Sequence, residues 1–154
     1  MPTIKEQLRS DLTDAIRRQD EITVATLRLA LAAIQKTEVA GDTPVTLTDD
    51  QVVDLLRGEA KRRAEAAELY DQGQRSELAA RERAQAAALD RYLPKEMDDA
   101  ALAAIVAEEV ATAQADGATG GKAMGQVIKA VRTRVGSEAN GSRVAAAVKA
   151  ALGT

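Results

Sequence analysis

Apolar residues recur at steps of three and four along the start of the chain, which is the spacing of one face of an α-helix. Thr3 and Glu6 form a capping-box pattern, in which two side chains satisfy backbone N–H groups at a helix start. The apolar positions of this first helix are Ile4, Leu8, Leu12, Ala15 and Ile16. A second helix is expected to begin after Asp20 and to run through Ile34 towards Gly41.

The second helix carries apolar residues on two opposite sides. One side holds Ile22, Ala25, Leu29 and Ala33, and the other holds Val24, Leu27, Leu31 and Ile34. Because a helix that is apolar all round is usually buried, we predict that it is central among its neighbours.

A breaker cluster from Gly41 to Pro44 precedes a second capping box, Thr48 to Gln51, which predicts the start of a third helix. Within its apolar stripe Glu59 and Arg63 stand four residues apart. Two interpretations stay open for this pair. It is either a solvated pair worth a few tenths of a kcal/mol, or a partly buried pair that fixes helix register or contacts a partner.

A fourth helix is expected after the turn residues 71–74, with Ser76 as its cap. The stretch "RYLPKEMDDAAL" ends it, because Pro94 disfavours helical geometry at Leu93 and has no N–H to donate. The sequence thus predicts an antiparallel domain of about four helices over residues 1–93.

Residues 94–154 are predicted to form a C-terminal three-helix domain. Asp98 or Asp99 caps the fifth helix, the sixth runs from about Lys122 to Val135, and Ser142 starts a terminal helix. The apolar stripe of the fifth helix is Leu102, Ile105, Val106 and Val110. No strand pattern is convincing, so we expect an all-α protein.

The residue types that are missing narrow the chemistry. The chain has no cysteine and no histidine, which excludes thiolate zinc sites, cysteine nucleophiles and the usual general base near neutral pH. The glycines of "GATGGKAMG" lack the spacing of a phosphate-binding loop and a preceding strand. A catalytic serine–lysine pair stays open as an alternative. No cofactor is expected, and no apolar run approaches the roughly 20 residues that span a bilayer, so we expect a cytoplasmic protein without membrane contact.

Charge is distributed unevenly along the chain. From Gly117 to the end there are six lysines and arginines and one acid, Glu138, although the whole chain carries a formal net charge of −3. On the sixth helix the cations Lys122, Lys129 and Arg132 lie opposite an apolar face. That face consists of Met124, Val127, Ile128, Val131 and Val135.

The start of the last helix adds a second cationic feature. The predicted helix start Asn140-Gly141-Ser142-Arg143 combines free backbone N–H groups, the positive end of the helix dipole and an arginine. This combination is suited to binding a phosphate. Ser142 as an ordinary cap and Asn140-Gly141 as a turn are the alternative. The candidate nucleic-acid-binding residues are Lys122, Lys129, Arg132, Arg134, Asn140, Gly141, Ser142, Arg143 and Lys149. Because Tyr70 and Tyr92 both lie outside this region, an RNA would be held by its backbone and shape rather than by stacking.

Four segments in order resemble the YqeY-like (GatB/YqeY) family over nearly the whole chain. They are "LRLALAAIQKTEV", "EAKRRAEAAELYDQGQRSELAARERAQAAALDRYLP", "AMGQVIKAV" and "ANGSRVAAAVKAAL". The resemblance implies an all-α two-domain protein related to the tail of the B subunit of the tRNA-dependent amidotransferase. Family members are often described as carbon–nitrogen ligases with glutamine as amido-N-donor because of this kinship. Where the family commonly has a basic residue and Ala-Asp-Gly, this chain has Glu138 and then Ala-Asn-Gly.

These observations favour a non-catalytic accessory module that binds tRNA and is related to the glutamine-dependent amidotransferase. Possible partners are tRNA, amidotransferase subunits or another protein. The alternative is a helical protein–protein adaptor that does not bind RNA and uses its alanine-rich faces and the region of Glu59 and Arg63. Whether the chain has any catalytic activity is left open, and no catalytic or metal-ligating residue is assigned.

Overall fold

The computed structural model describes residues 1–153 and shows an all-helical chain. Within those residues there are seven α-helices, one short 3-10 helix and no strand, so the all-α prediction is confirmed. Residue contacts divide the chain into two compact units, residues 1–93 and residues 94 onward.

The first unit begins with helices α1 (Ile4–Arg18) and α2 (Glu21–Glu38). The capping box of Thr3 and Glu6 is present as predicted, and Asp20 caps α2 by accepting from the Thr23 N–H. Gln19 adopts a left-handed conformation between the two helices, with φ of 57°. The N–H groups of Gln19 and Asp20 donate back to α1 and so satisfy two of its last carbonyl groups.

Helices α3 (Asp49–Gln72) and α4 (Ser76–Asp90) form an antiparallel hairpin. Thr48 and Gln51 form the second predicted capping box. The prediction that Ser76 caps α4 is wrong, because Ser76 is already the first helical residue and Arg75 stands at the cap position without a side-chain bond. The way in which α3 ends explains why the helix start lies one residue earlier than predicted. The Arg75 N–H donates to the Tyr70 carbonyl across left-handed Gln74, so α4 begins immediately afterwards.

Helix α2 packs against α1, α3 and α4, as expected for a central helix. On one side Leu27 and Ile34 are fully buried and Val24 and Leu31 are partly buried. Leu29 on the other side is 49% exposed, so the two apolar sides are not covered equally. The core of this unit consists of Leu8, Leu27, Ala30, Ile34, Val52, Leu56 and Leu89. Burial of each leucine, isoleucine and valine side chain in this core contributes about 1.5–3 kcal/mol before entropy is counted.

Helix α4 ends at Asp90, three residues before the predicted end at Leu93, and residues 91–93 form a turn ahead of Pro94. Tyr92 in this turn donates its hydroxyl to the carboxylate of Asp11 on α1. Burial, together with the hydrogen bond to Asp11, raises the pKa of the Tyr92 phenol well above its ordinary value of 10.0.

The second unit contains α5 (Asp99–Ala115), α6 (Gly120–Val135), a 3-10 helix (Gly136–Glu138) and α7 (Gly141–Leu152). Asp98 caps α5, which decides between the two predicted aspartates. Helix α6 begins at Gly120, two residues before the predicted start. Asn140 caps α7, so the interpretation of Ser142 as the cap is wrong.

All three helices of this unit contact one another around a valine-rich core. Leu102 and Val106 of the predicted α5 stripe are buried, and Ile105 and Val110 are partly buried against the same cluster. The buried members are Leu102, Val106, Ala113, Val127, Val131, Val135, Ala139, Val144 and Val148. No helix within residues 1–153 is long and apolar enough to cross a membrane.

Candidate functional site

The outer face of α6 carries three cations. Lys122, Lys129 and Arg132 are all exposed, while Val127, Val131 and Val135 on the opposite side are buried in the core. None of the three cationic side chains forms an ion pair or a hydrogen bond with the residues that the structure describes. Their positive charge is therefore available to a ligand.

Arg132 lies next to the start of α7. Its guanidinium carbon is 3.9 Å from the position that a Cβ would occupy at Gly141. Gly141 is the first residue of α7 and has no side chain, so the guanidinium approaches the helix backbone closely. This contact brings the exposed face of α6 and the first turn of α7 into one surface.

The first turn of α7 is organised by Asn140. Its side-chain oxygen accepts from the Arg143 N–H at 2.9 Å, and its carbonyl accepts from the Val144 N–H at 3.1 Å. The N–H groups of Gly141 and Ser142 have no acceptor within the helix, because they belong to its first turn. Ser142 is exposed and makes no capping bond, so this end of α7 combines available N–H donors with the positive end of the helix dipole.

Arg134 is engaged with carboxylates of α5. Its Nη1 lies 2.7 Å from Glu108 Oε2 and 3.1 Å from Glu109 Oε1. The hydrogen bond that Arg134 donates to Glu108, followed by the one that it donates to Glu109, raises the pKa of the Arg134 guanidinium. Its side chain thus connects α6 to α5, and much of its charge is compensated.

Arg143 is directed towards the beginning of the second unit. Its Nη2 donates to the Met97 carbonyl at 2.7 Å and to Asp99 Oδ1 at 2.9 Å, and its Nη1 lies 4.0 Å from Glu96 Oε2. Arg143 is only two residues from Gly141, but its guanidinium donates to these acceptors and not to a group at the first turn of α7.

The two remaining charged residues of this region lie at its margins. Lys149 is exposed in the last turn of α7, about 12 Å along the helix axis from Gly141. Glu138 is exposed two residues before the cap Asn140, and it is the one acid of the segment from residue 117 to residue 153. Of the predicted residues, the structure therefore brings Arg132 closest to the turn of Asn140, Gly141 and Ser142, and Lys129 lies one turn before Arg132 on α6.

The first unit contains a separate charged cluster between helices α2, α3 and α4. Glu59 and Arg63 are partly buried, with side chains 18% and 25% exposed and 3.8 Å between Oε2 and Nη2, so the pair has the partial burial of the second interpretation. Arg63 also lies 3.7 Å from Glu82 Oε2, a buried oxygen without a hydrogen-bond donor among the described residues. Sequence spacing did not reveal Glu82, because it reaches Arg63 from another helix.

No group of three or more acidic side chains within residues 1–153 is placed so as to hold a metal ion. The sequence contributes neither histidine nor cysteine to such a group. The chemistry available on the α6–α7 surface is therefore the binding of anions by cations and backbone N–H groups.

Comparison with known proteins gives two findings. The family model described as Yqey-like protein matches residues 5–152 of the chain. An uncharacterized protein of Schizosaccharomyces pombe is 28% identical over 95 residues, which cover 62% of this chain and 76% of that protein.

Proposed function

The chain belongs to the YqeY-like family, and from this membership we propose that it is a non-catalytic accessory module that binds tRNA in association with a glutamine-dependent tRNA amidotransferase. In this proposal residues 94–154 are the three-helix module related to the amidotransferase tail, and residues 1–93 are a four-helix domain. The protein acts in the cytoplasm, where tRNA is aminoacylated. It contributes no catalytic residue.

The observation that carries this proposal is the exposed cationic face of α6. Lys122, Lys129 and Arg132 lie together on the solvent side of the helix, and no carboxylate among the described residues pairs with them. Lysines and arginines that neutralise phosphates release bound counterions, which is the main source of affinity in binding that does not depend on sequence.

The shape of the ligand follows from the side chains that this face lacks. Single-stranded nucleic acids are usually held by aromatic side chains on which bases stack. The two aromatic residues of the chain, Tyr70 and Tyr92, belong to the first unit. A folded, largely double-helical RNA that is recognised through its phosphates fits this surface better than an extended strand does.

The first turn of α7 provides a second type of contact. The N–H groups of Gly141 and Ser142, with Arg132 beside them, can hold one phosphate at the positive end of the helix. We assign phosphate contacts to Lys122, Lys129, Arg132, Gly141 and Ser142, with Asn140 as the residue that shapes the turn.

A salt titration with total tRNA tests this assignment. Three cationic contacts predict a slope of log affinity against log salt of roughly −2 to −3. The double variant Lys129→Gln/Arg132→Gln should reduce the steepness of that slope by roughly 1.5–2, because two phosphates are no longer neutralised.

A matched control removes the same charge elsewhere. Lys61 and Arg81 are exposed cations of α3 and α4, so Lys61→Gln/Arg81→Gln lowers the net charge equally. This variant should keep the original slope. If both double variants behave alike, the assignment of the contacts to α6 is wrong.

Glu138 provides a test in the opposite direction. Glu138 is an exposed acid two residues before the cap Asn140, so it adds a negative charge next to this turn in the chain. Glu138→Gln should therefore raise affinity roughly two- to threefold at low salt, the order of magnitude expected for the loss of one repulsive charge in water. A lower affinity would contradict a phosphate site at this turn.

A protein–protein adaptor is the second candidate, and one observation favours it. Leu69 is 67% exposed and Leu78 is 39% exposed on the two helices of the α3–α4 hairpin. Both leucines lie within four residues of the turn 73–75 that joins the two helices, and a patch of exposed aliphatic side chains at such an end would suit contact with another protein. Co-purification with amidotransferase subunits, together with a tRNA titration that shows no binding, would favour the adaptor.

A further inference from the structure

The backbone of Met97 is held on both sides by the start of α7 and the segment before it. Its N–H donates to the Glu138 carbonyl at 2.8 Å, and its carbonyl accepts from Arg143 Nη2 at 2.7 Å. Met97 follows Pro94 by three residues and is partly buried against the core of the second unit. The first residues of this unit are therefore attached to the turn that begins α7.

Arg143 makes this attachment with a guanidinium that is largely covered. Its side chain is 25% exposed, whereas Lys122, Lys129 and Arg132 are exposed. Asp99, its carboxylate partner, is 97% exposed, and an ion pair this open to water contributes little. The bond to the partly buried Met97 carbonyl is the contact that determines where the side chain lies, because a carbonyl there without a donor would be costly.

The backbone of the same residue belongs to the anion-binding turn. The Arg143 N–H donates to Asn140 Oδ1 and so closes the first turn of α7. One residue therefore connects Met97, through its side chain, to the turn that presents the N–H groups of Gly141 and Ser142. Nη2 uses its two hydrogens on the Met97 carbonyl and Asp99, and the carboxylates of Asp99 and Glu96 beside the guanidinium repel a phosphate that would approach its other N–H groups.

We propose that Arg143 is a positioning residue for tRNA binding: it clamps the Met97 backbone against the first turn of α7, fixes the shape of that turn, and contacts no phosphate itself. This inference depends on the proposed function for the ligand, but the clamp itself does not. It distinguishes Arg143 from the cations of α6, although all of them lie in the same basic segment.

The dependence of affinity on salt separates positioning from phosphate contact. Arg143→Gln should weaken tRNA binding roughly three- to tenfold at fixed salt, while the slope of log affinity against log salt stays the same. The loss of a phosphate contact would instead reduce the steepness of the slope by about 0.9. Arg143→Lys keeps the charge but loses the planar fork, so it should recover only part of the affinity.

Amide hydrogen exchange of Met97, followed by NMR without tRNA, measures the clamp directly. In Arg143→Gln the Met97 N–H should exchange at least several times faster, because its segment is no longer held at the carbonyl. The core amides of Val127 and Val131 serve as internal references for the unfolding of the whole unit. Arg134→Gln is the matched control, since it removes an equally paired arginine of the same unit and should leave Met97 exchange unchanged.

Each outcome decides the proposal. Faster Met97 exchange with an unchanged salt slope supports it. A shallower slope in Arg143→Gln, or Met97 exchange equal to that of the wild-type protein, overturns it. If wild-type protein binds no tRNA, the proposed function fails. Met97 exchange then decides the clamp on its own, because faster exchange supports it and unchanged exchange rejects it.

Discussion

Glu38 shows how one side chain holds several parts of the first unit. Its Oε2 accepts from Lys5 Nζ of α1 at 2.6 Å, and its Oε1 accepts from the Leu47 N–H at 3.1 Å. Its side chain is only 10% exposed. The carboxylate therefore connects the start of α1, the end of α2 and the segment that leads into α3.

The pH dependence of stability should reveal this connection. The hydrogen bond from Lys5, followed by that from Leu47, holds the pKa of Glu38 below its ordinary value of 4.5. Its contribution to stability is then complete above that value and disappears as the pH falls through the lower pKa of the folded state. Glu38→Gln should unfold at a lower temperature than wild type at pH 7, and the difference should shrink as the pH falls below 4.5 and through the lower pKa of the folded state.

Thermal unfolding followed by circular dichroism over this pH range measures the difference. Glu65→Gln, a change of an exposed acid on α3, is the control for the loss of one negative charge and should show no comparable trend. A difference between Glu38→Gln and wild type that stays constant from pH 7 to pH 3 would contradict the role given to Glu38.

At the scale of helices, the sequence predicts a start well where the cap depends on neighbouring residues alone. The caps Thr3 and Thr48 are predicted correctly and Asp98 is one of the two aspartates predicted for α5, because a capping side chain and its N–H partner lie within three residues of each other. Ser76 was not, because the position of α4 depends on how α3 ends. That end requires Gln74 in a left-handed conformation. Glutamine seldom adopts this conformation, so the sequence does not predict it.

Asn140 and Ser142 provide a paired test at the same scale. Both residue types commonly cap helices, but only the Asn140 side chain accepts a backbone N–H of α7, that of Arg143. Asn140→Ala should therefore lower the free energy of unfolding by about 1 kcal/mol. Ser142→Ala should change it by less than about 0.5 kcal/mol, as is usual for an exposed position. Urea unfolding followed by circular dichroism compares the two variants. A larger loss of unfolding free energy in Ser142→Ala than in Asn140→Ala would contradict the assignment of Asn140 as the cap.

At the scale of the whole molecule, the sequence located the basic segment but not the partners of its cations. Helical periodicity placed Lys122, Lys129 and Arg132 on the solvent side of α6, where the structure has them. It could not show that Arg134 meets Glu108 or that Arg143 reaches Met97, because these partners lie 26 and 46 residues away. The contacts of Glu82 with Arg63 and of Tyr92 with Asp11 likewise depend on tertiary packing.

The division of the chain at Pro94 leads to a prediction about its two halves. The buried core of the second unit is built entirely from residues between Leu102 and Val148, so no side chain from the first unit is needed to complete that cluster. A fragment of residues 94–154 should therefore fold alone and unfold cooperatively, although a domain of about 60 residues is only marginally stable. If the cationic face of α6 is the tRNA site, this fragment should also keep the salt slope of the full chain, while residues 1–93 should not bind. Circular dichroism and the tRNA titration test both points, and an unfolded fragment would show that the second unit depends on the first.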